Sequence, residues 1–556
     1  MVRIKTTQEF GAPRGLPRKT ASICPECKKV IPAVVKVKDN KVIMEKTCKE
    51  HGYFWDIISN DVELYLNMEQ YARDGVGFDN PYYKTFKGCP TTCGMCDHHK
   101  SHTGLALVDL TNRCNLKCPV CFANANAAGY VYEPTFEQIS FMLKTLREQK
   151  PVGAVAVQFS GGEPTVSPNF LKACNEAYKL GFSQIQVATN GIRFASSIDF
   201  VEAAMLNHLN TIYLQFDGVD DSIYMETRGV PLFKIKQKVI ENVRALNKKY
   251  ASTKQKAPTI VLVPTLVGGY NEHQIVPIMN YAIENNDVVK GVNFQPVALT
   301  ARVPDKDRFA MRFTQSDLVR ILVDGGLFEK SDFFPVPSVA PISELVSILT
   351  GKPKLTLTTH PGCGLGTFAF VNNKDKTLIP LPRFMDVNGF FTRVNEIIEG
   401  YKDSKIQRVR TAIDSYKLKN DIARYFDFSK APDFINKNNV IDMISRIFSE
   451  GNKKPVADFA WSTLFVGAMH FQDAYDYDIQ RLMRCDIHYT VPDGRIIPFC
   501  SYNSGPTYRE SVEKQFSVSV EAWKEKKAGK KDISSIGVNG EVLIDSPIYN
   551  QVETKG

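Results

Sequence analysis

Between residues 105 and 297 the chain alternates short apolar runs with longer segments whose apolar positions recur every three to four residues. The runs "LALVDLTN", "AVAVQFSGG", "IQVATNG", "TIYLQFDG", "TIVLVPTLV" and "KGVNFQPV" have the length and composition of buried strands. Among them "TFEQISFMLKTLREQ", "DFVEAAMLNHL" and "IKQKVIENVRALNKKY" pair an apolar stripe with a charged face, as amphipathic helices do. Strands and helices in this alternation predict an α/β fold whose parallel sheet curls into an open barrel. Functional groups in such sheets collect beyond the C-terminal strand ends. Upstream, "ICPECKKVIPAVVKVKDNKVIMEKTCKEHGYFWDIISND" predicts a small β-rich ribbon with two knuckles separated by a hairpin. The chain thus divides into an N-terminal ribbon and cysteine-knuckle domain (1–100), a barrel (101–350) and a C-terminal domain (351–556).

Composition narrows the class. A chain of 556 residues with 43% hydrophobic content can bury large cores. The basic N-terminus "MVRIKTTQEFGAPRGLPRKT" lacks the apolar stretch of a secretory signal, which places the chain in the cytoplasm. The longest apolar runs, "TIVLVPTLVGGY" and "FAWSTLFVGAM", are well short of the roughly 18 to 20 residues of a spanning helix. The net charge of +9 is spread widely, with clusters such as "KEKKAGKK". It reads as a solvated surface that leaves room for peripheral contact with an anionic membrane, and no nucleic-acid partner is expected.

Thirteen cysteines change the picture most. A reducing compartment keeps thiols free, so their grouping argues for metal ligation. Cys114, Cys118 and Cys121 form C-x3-C-x2-C directly after the first barrel strand. A cubane 4Fe-4S cluster normally takes four thiolates, so three on one loop leave an iron open to a substrate or cofactor. A distant fourth cysteine or a zinc knuckle are the competing readings. Gly161, Gly162 and Glu163 end the second strand, Thr189 and Asn190 the third, and Gln215 and Asp217 the fourth, so all fall on the same rim. Cys24, Cys27, Cys48 and His51 make a four-ligand set for zinc or a rubredoxin-like iron. Cys89, Cys93 and Cys96 repeat the C-x3-C-x2-C spacing and suggest a second cubane. Cys363, Cys485 and Cys500 are isolated in sequence, as core cysteines usually are; the alternative is a third cluster, favoured by the "PDGR" turn that lets Cys485 and Cys500 face each other. Cys174 sits at an apolar helical position and is read as core.

The loop, "GGEP", "TNG" and "QFDG" together resemble the radical SAM enzymes. The resemblance implies a partial (βα)6 TIM-like barrel and a 4Fe-4S cluster on Cys114, Cys118 and Cys121 whose open iron is chelated by S-adenosylmethionine. One electron then cleaves the sulfonium to a 5'-deoxyadenosyl radical. Gly161, Gly162 and Glu163 would meet the methionine amino group, and Thr189, Asn190, Gln215 and Asp217 the ribose. Over most of its length the chain is similar to an archaeal radical SAM group of dihydropterin methyltransferase-like proteins that includes the tetraether lipid synthase. The features shared are the ribbon, "GCPTTCGMC", "VDLTNRCNLKCPVCFANAN", "YLQFDGVDDSIYMETRG" and "RCDIHYTVPDGRIIPFCSYNSGPTYR". This resemblance implies three 4Fe-4S clusters, one rubredoxin-like iron, an external electron donor, and C–C bond formation between terminal methyl carbons of isoprenoid lipid chains, giving tetraethers or macrocyclic archaeol. The alternatives are a radical SAM methylase of a small molecule such as a dihydropterin, and a non-catalytic iron–sulfur electron carrier.

Overall fold

A computed structural model describes residues 12–83, 88–253, 255–301, 307–372, 374–402, 421–431, 433–450, 453–506 and 508–527. The basic N-terminal residues 1–11 and the end of the "KEKKAGKK" cluster lie outside these. Four antiparallel strands form the ribbon: β1 (Arg18–Ile23), β2 (Val30–Lys38), β3 (Lys41–Cys48) and β4 (Gly52–Ser59). Six parallel strands follow: β5 (Leu105–Thr111), β6 (Ala156–Gly161), β7 (Gln184–Thr189), β8 (Thr211–Gln215), β9 (Thr259–Val263) and β10 (Val289–Pro296). They pair in chain order and all parallel, as the near-continuous apolar runs require.

Local chemistry accounts for the helices between them. Helix α1 (Phe136–Arg147) starts at a capping box in which Thr135 and Gln138 satisfy each other's backbone, and it buries Ile139, Met142, Leu143 and Leu146. Helix α2 (Phe170–Lys179) buries Cys174 completely, at the core position its spacing predicts. Helix α3 (Asp221–Arg228) ends on Gly229 in the left-handed conformation, and α4 (Phe233–Lys249) covers the sheet with Ile235, Val239, Ile240, Val243 and Leu246.

The C-terminal third joins the same sheet at both edges. Strand β11 (Gly364–Val371) pairs antiparallel with β12 (Leu464–Met469), which continues the sheet parallel to β10. At the other edge β13 (Ile487–Thr490) runs parallel to β5 and turns through "PDGR" into β14 (Ile496–Pro498). Among the described residues no helix is long and apolar enough to cross a membrane.

A buried charge cluster ties the ribbon to this body. Arg312 pairs with Asp56 of β4 at 2.7 Å and with Asp473 at 2.8 Å, and all three side chains are 0–1% exposed. Burial alone would raise the Asp473 carboxyl, yet Arg312 beside it holds its pKa below the ordinary value. Replacing Arg312 by Met strips both carboxylates of their counter-charge, which should cost about 3–5 kcal/mol. Denaturant unfolding would read this as a lower midpoint, and an unchanged midpoint would show that the clamp does not hold the ribbon.

Candidate active site on the barrel rim

The loop after β5 is shaped by its own asparagines. Asn126, at φ 64, accepts from the Cys114 N–H at 2.9 Å and donates to the carbonyls of Cys114 and Leu116 at 2.8 and 3.1 Å, closing the loop on itself. The end of β6 then packs on its backbone: the Gly162 N–H donates to Thr111 O at 2.8 Å and the Glu163 N–H to Arg113 O at 2.9 Å. A Cβ on Gly161 would stand 2.1 Å from Thr111 O, and one on Gly162 2.3 Å from Arg113 O. The glycine pair is therefore required by the approach of two protein backbones, before any ligand is considered.

Glu163 is 1% exposed, and its carboxylate is fully engaged. One oxygen accepts from the Thr165 hydroxyl at 2.6 Å and the Thr189 hydroxyl at 2.8 Å, the other from the Asn190 N–H at 2.8 Å. Burial raises its pKa, and these donors oppose that. The Asn190 side chain donates to Asn115 of the cysteine loop at 2.6 Å, so the ends of β5, β6 and β7 form one hydrogen-bonded rim. Gln215 accepts from Lys236 of α4 at 2.8 Å, and its amide side supports the Asp217 carboxylate. Lys236 also donates to Asn190 O at 2.6 Å, and burial brings its ammonium down to about 7.

Asp217 lies beneath the rim and not on the cavity wall. It is 0% exposed and forms a two-pronged ion pair with Arg228 at the end of α3, at 2.6 and 3.0 Å, while also accepting from the Thr265 N–H. Arg228 in turn donates to Val120 O at 3.2 Å and to the Cys118 thiol. Sequence reasoning passes over Arg228, Lys236, Asn115 and Asn126. The first two sit in charged helical segments that look solvated, and only the fold brings them under the rim.

Above this rim opens a cavity of about 300 Å³. Cys114, Cys118 and Cys121 line it together with Gly161, Gly162 and Glu163, and so do Thr189, Asn190 and Gln215. The opposite wall comes from the C-terminal third, with Phe471 and Phe499 stacked at 3.8 Å and Tyr489 against Phe499 at 5.5 Å. Burial pushes the Cys114 thiol well above its ordinary value and raises that of Cys118. Buried thiols such as Cys114 and Cys118 become thiolates when a cation compensates them, which an iron–sulfur cluster does. Gln215 adds a side-chain amide to the same wall, beside the three thiols.

Apart from the core residue Cys174, the remaining cysteines fall into three groups. In the ribbon the donor atoms of Cys24, Cys27, Cys48 and His51 all lie within 4.8 Å of one another, the crowding of one ion's ligand shell. Cys89, Cys93 and Cys96 line a small void with Met95 and His99. Cys363, Cys485 and Cys500 stand close enough to interact electrostatically, with Arg481 Nε 3.4 Å from the Cys363 sulfur. Burial pushes the Cys93 and Cys500 thiols up to about 12.

Parallel strands, a C-x3-C-x2-C loop at the first strand end and a cavity over the rim define a radical SAM enzyme, and the radical SAM superfamily model matches residues 108–282. Residues 16–60 match the model described as the HMPTM N-terminal zinc ribbon domain. Within the superfamily the chain belongs to the family of the 7,8-dihydro-6-hydroxymethylpterin dimethyltransferase of Methanocaldococcus jannaschii. The two are 44% identical over 510 residues, 91% of this chain and 97% of that protein. The GTP 3',8-cyclase of Clostridium acetobutylicum is 22% identical over 271 residues, 48% of this chain and 77% of the cyclase. Among solved structures, Streptococcus suis SuiB bound to S-adenosylmethionine is similar at 18% identity and a TM-score of 0.29, over 40% of this chain and 47% of SuiB.

This kinship corrects the expectation of a tetraether or macrocyclic archaeol lipid synthase, and with it the isoprenoid lipid partner and the joining of lipid methyl carbons. The relative that spans the chain is named for a dihydropterin. The reason is physical: the cysteine loops, ribbon and rim motifs specify how a radical is generated, and they are the same whichever substrate meets it.

Replacing Arg228 by Met removes the counter-charge of Asp217 and the anchor of Val120 and Cys118. Stability should fall by about 3–5 kcal/mol, and 5'-deoxyadenosine formed per folded molecule should drop about tenfold or more, a barrier change of roughly 1.4 kcal/mol. A folded variant with parental output would show that the loop holds its shape without this anchor.

Proposed function

We propose that the chain methylates a reduced pterin of the 7,8-dihydro-6-hydroxymethyl type by radical chemistry. The observation that carries the reading is the 44% identity that spans 97% of a dihydropterin dimethyltransferase. Cys114, Cys118 and Cys121 would hold a 4Fe-4S cluster, and the cavity above them would take S-adenosylmethionine. When bound, that cluster supplies the electron that cleaves the sulfonium to a 5'-deoxyadenosyl radical. Asn190 and Gln215 orient the adenosyl part from the wall, and Gly161 and Gly162 keep the loop pressed on the rim. Glu163 holds β6 and β7 in register through Thr189 and the Asn190 N–H. Phe471, Phe499 and Tyr489 exclude water and offer flat apolar faces to a planar heterocycle.

Further metal is assigned on the same footing. Cys24, Cys27, Cys48 and His51 hold zinc, in line with the zinc-ribbon match over residues 16–60. Cys89, Cys93 and Cys96 hold a second cubane, and Cys363, Cys485 and Cys500 a third. An external one-electron donor would supply the electron for the barrel cluster.

The test is anaerobic incubation of reconstituted protein with S-adenosylmethionine, a strong reductant, 7,8-dihydro-6-hydroxymethylpterin and a separate one-carbon donor (further S-adenosylmethionine in one arm, a methylene-carrying reduced pterin in another), because reductive cleavage leaves the methyl of the first S-adenosylmethionine on methionine. Mass spectrometry should show 5'-deoxyadenosine and a pterin heavier by one or two methyl groups, and Cys118→Ala should abolish both. An unaltered pterin with the parent protein would overturn the substrate, and 5'-deoxyadenosine from the variant would overturn the cluster loop.

A further inference from the structure

Side chains alternate faces along a strand. On β6, β7, β8 and β10 the outward positions, such as Phe159, Val187, Leu214 and Phe294, are fully buried in the core beneath the helices. The inward positions between them carry Gln158, Gln186, Tyr213, Gln215, Asn293 and Gln295. Parallel barrels ordinarily fill such positions with branched apolar residues. Here amides take their place, and all of these residues except Gln186 line the cavity.

Two of the amides have one end fixed and the other open to the cavity. Gln186 Nε2 donates to Gln158 Oε1 at 2.7 Å, which orients the Gln158 amide and leaves its Nε2 without a partner among the described residues. Asn293 donates through Nδ2 to the Tyr213 hydroxyl, of which Gln295 is a second partner, and its Oδ1 has no partner among the described residues. Gln158 and Asn293 are 7% and 9% exposed, so a donor and an acceptor stand on the wall where water is nearly excluded. Among the described residues the charged side chains of the cavity wall are Glu163 and Arg228, and both are already paired at the rim. A carboxylate or phosphate in the lumen would find no counter-ion, and a hydrocarbon chain would leave the amides unpaired. A flat, uncharged heterocycle with donors and acceptors on its edge satisfies them, while Phe471, Phe499 and Tyr489 cover its face.

We propose that Gln158 and Asn293 select the substrate by reading the aminopyrimidinone edge of a pterin. Gln158 Nε2 donates to the ring carbonyl, and Asn293 Oδ1 accepts from the exocyclic amino group. The inference rests on the reading of the substrate as a reduced pterin and names what in this chain recognises it. Gln186 is a positioning residue that acts through Gln158.

The experiment is anaerobic titration calorimetry on the full-length reconstituted protein with three probes. These are 7,8-dihydro-6-hydroxymethylpterin, its lumazine counterpart in which a carbonyl replaces the amino group, and S-adenosylmethionine. The parent should bind the pterin about tenfold or more tighter than the lumazine, because a site that accepts from an amino group repels a carbonyl. Asn293→Leu should abolish that preference, and Gln158→Met should weaken both heterocycles by about tenfold or more, since the carbonyl it reads is common to them. Iron content and S-adenosylmethionine affinity should stay parental in both variants. Variants with the parent's pterin affinity and preference would overturn the role of the amides and leave the pterin standing. A variant that loses iron or S-adenosylmethionine together with the pterin would overturn that residue's role, since the amide would then be supporting the barrel. A parent that binds neither heterocycle would overturn the substrate reading together with this one.

Discussion

The arrangement of the rim depends on the ion pair between Asp217 and Arg228. Both partners are buried or nearly so, at 0% and 11% side-chain exposure, and a charge in that position persists only when it is paired and hydrogen-bonded. The guanidinium has more than one obligation. It fills the Asp217 carboxylate with two donors, reaches Thr265 at 3.2 Å beyond the end of β9, and holds Val120 O and Cys118 on the cysteine loop. Three pieces of chain distant in sequence are thereby set relative to one another. On the other side, Glu163 and the Asn190–Asn115 contact fix the same loop to β6 and β7. The loop is thus anchored on both flanks, and its three thiols keep a common orientation toward the cavity.

What faces that loop is decided at the sheet edges. Because β12 extends the sheet beside β10 and β13 beside β5, the segments that leave these strands bring Phe471, Tyr489 and Phe499 to the cavity from both sides. The same stretch carries Cys485 and Cys500, while Cys363 joins the third cysteine group from the start of β11. The Asp56–Arg312–Asp473 cluster adds the ribbon to this body through the residues just before that stretch. The barrel-loop and third cysteine groups, the cavity wall and the rim therefore hang on one continuous sheet.

The barrel was legible in sequence because its strands are nearly continuous apolar runs and its helices carry an apolar stripe with capping signals such as Thr135 and Gln138. The cysteine groups were legible from spacing alone where it is short, as at Cys114, Cys118 and Cys121. The edges were not, because the pairing of Ile487 with Leu105 joins residues whose separation no local pattern records. Nor was the true place of Asp217. An acidic residue at a strand end looks like a ribose contact, and only the fold shows that Arg228, eleven residues on, claims both of its oxygens. The glycines of "GGE", expected to meet the methionine amino group, first make room for the backbones of Thr111 and Arg113. Substrate identity was the least legible of all, since the residues that generate a radical carry no record of the molecule that receives it.

The most direct measurement of the central claim is diffraction at the iron absorption edge from crystals of the anaerobically reconstituted protein soaked with S-adenosylmethionine. The account predicts an anomalous peak bound by Cys114, Cys118 and Cys121, with no fourth protein ligand and its free corner turned toward Asn190 and Gln215. A cluster at that loop closed by a fourth protein side chain, or no iron there at all, would contradict it.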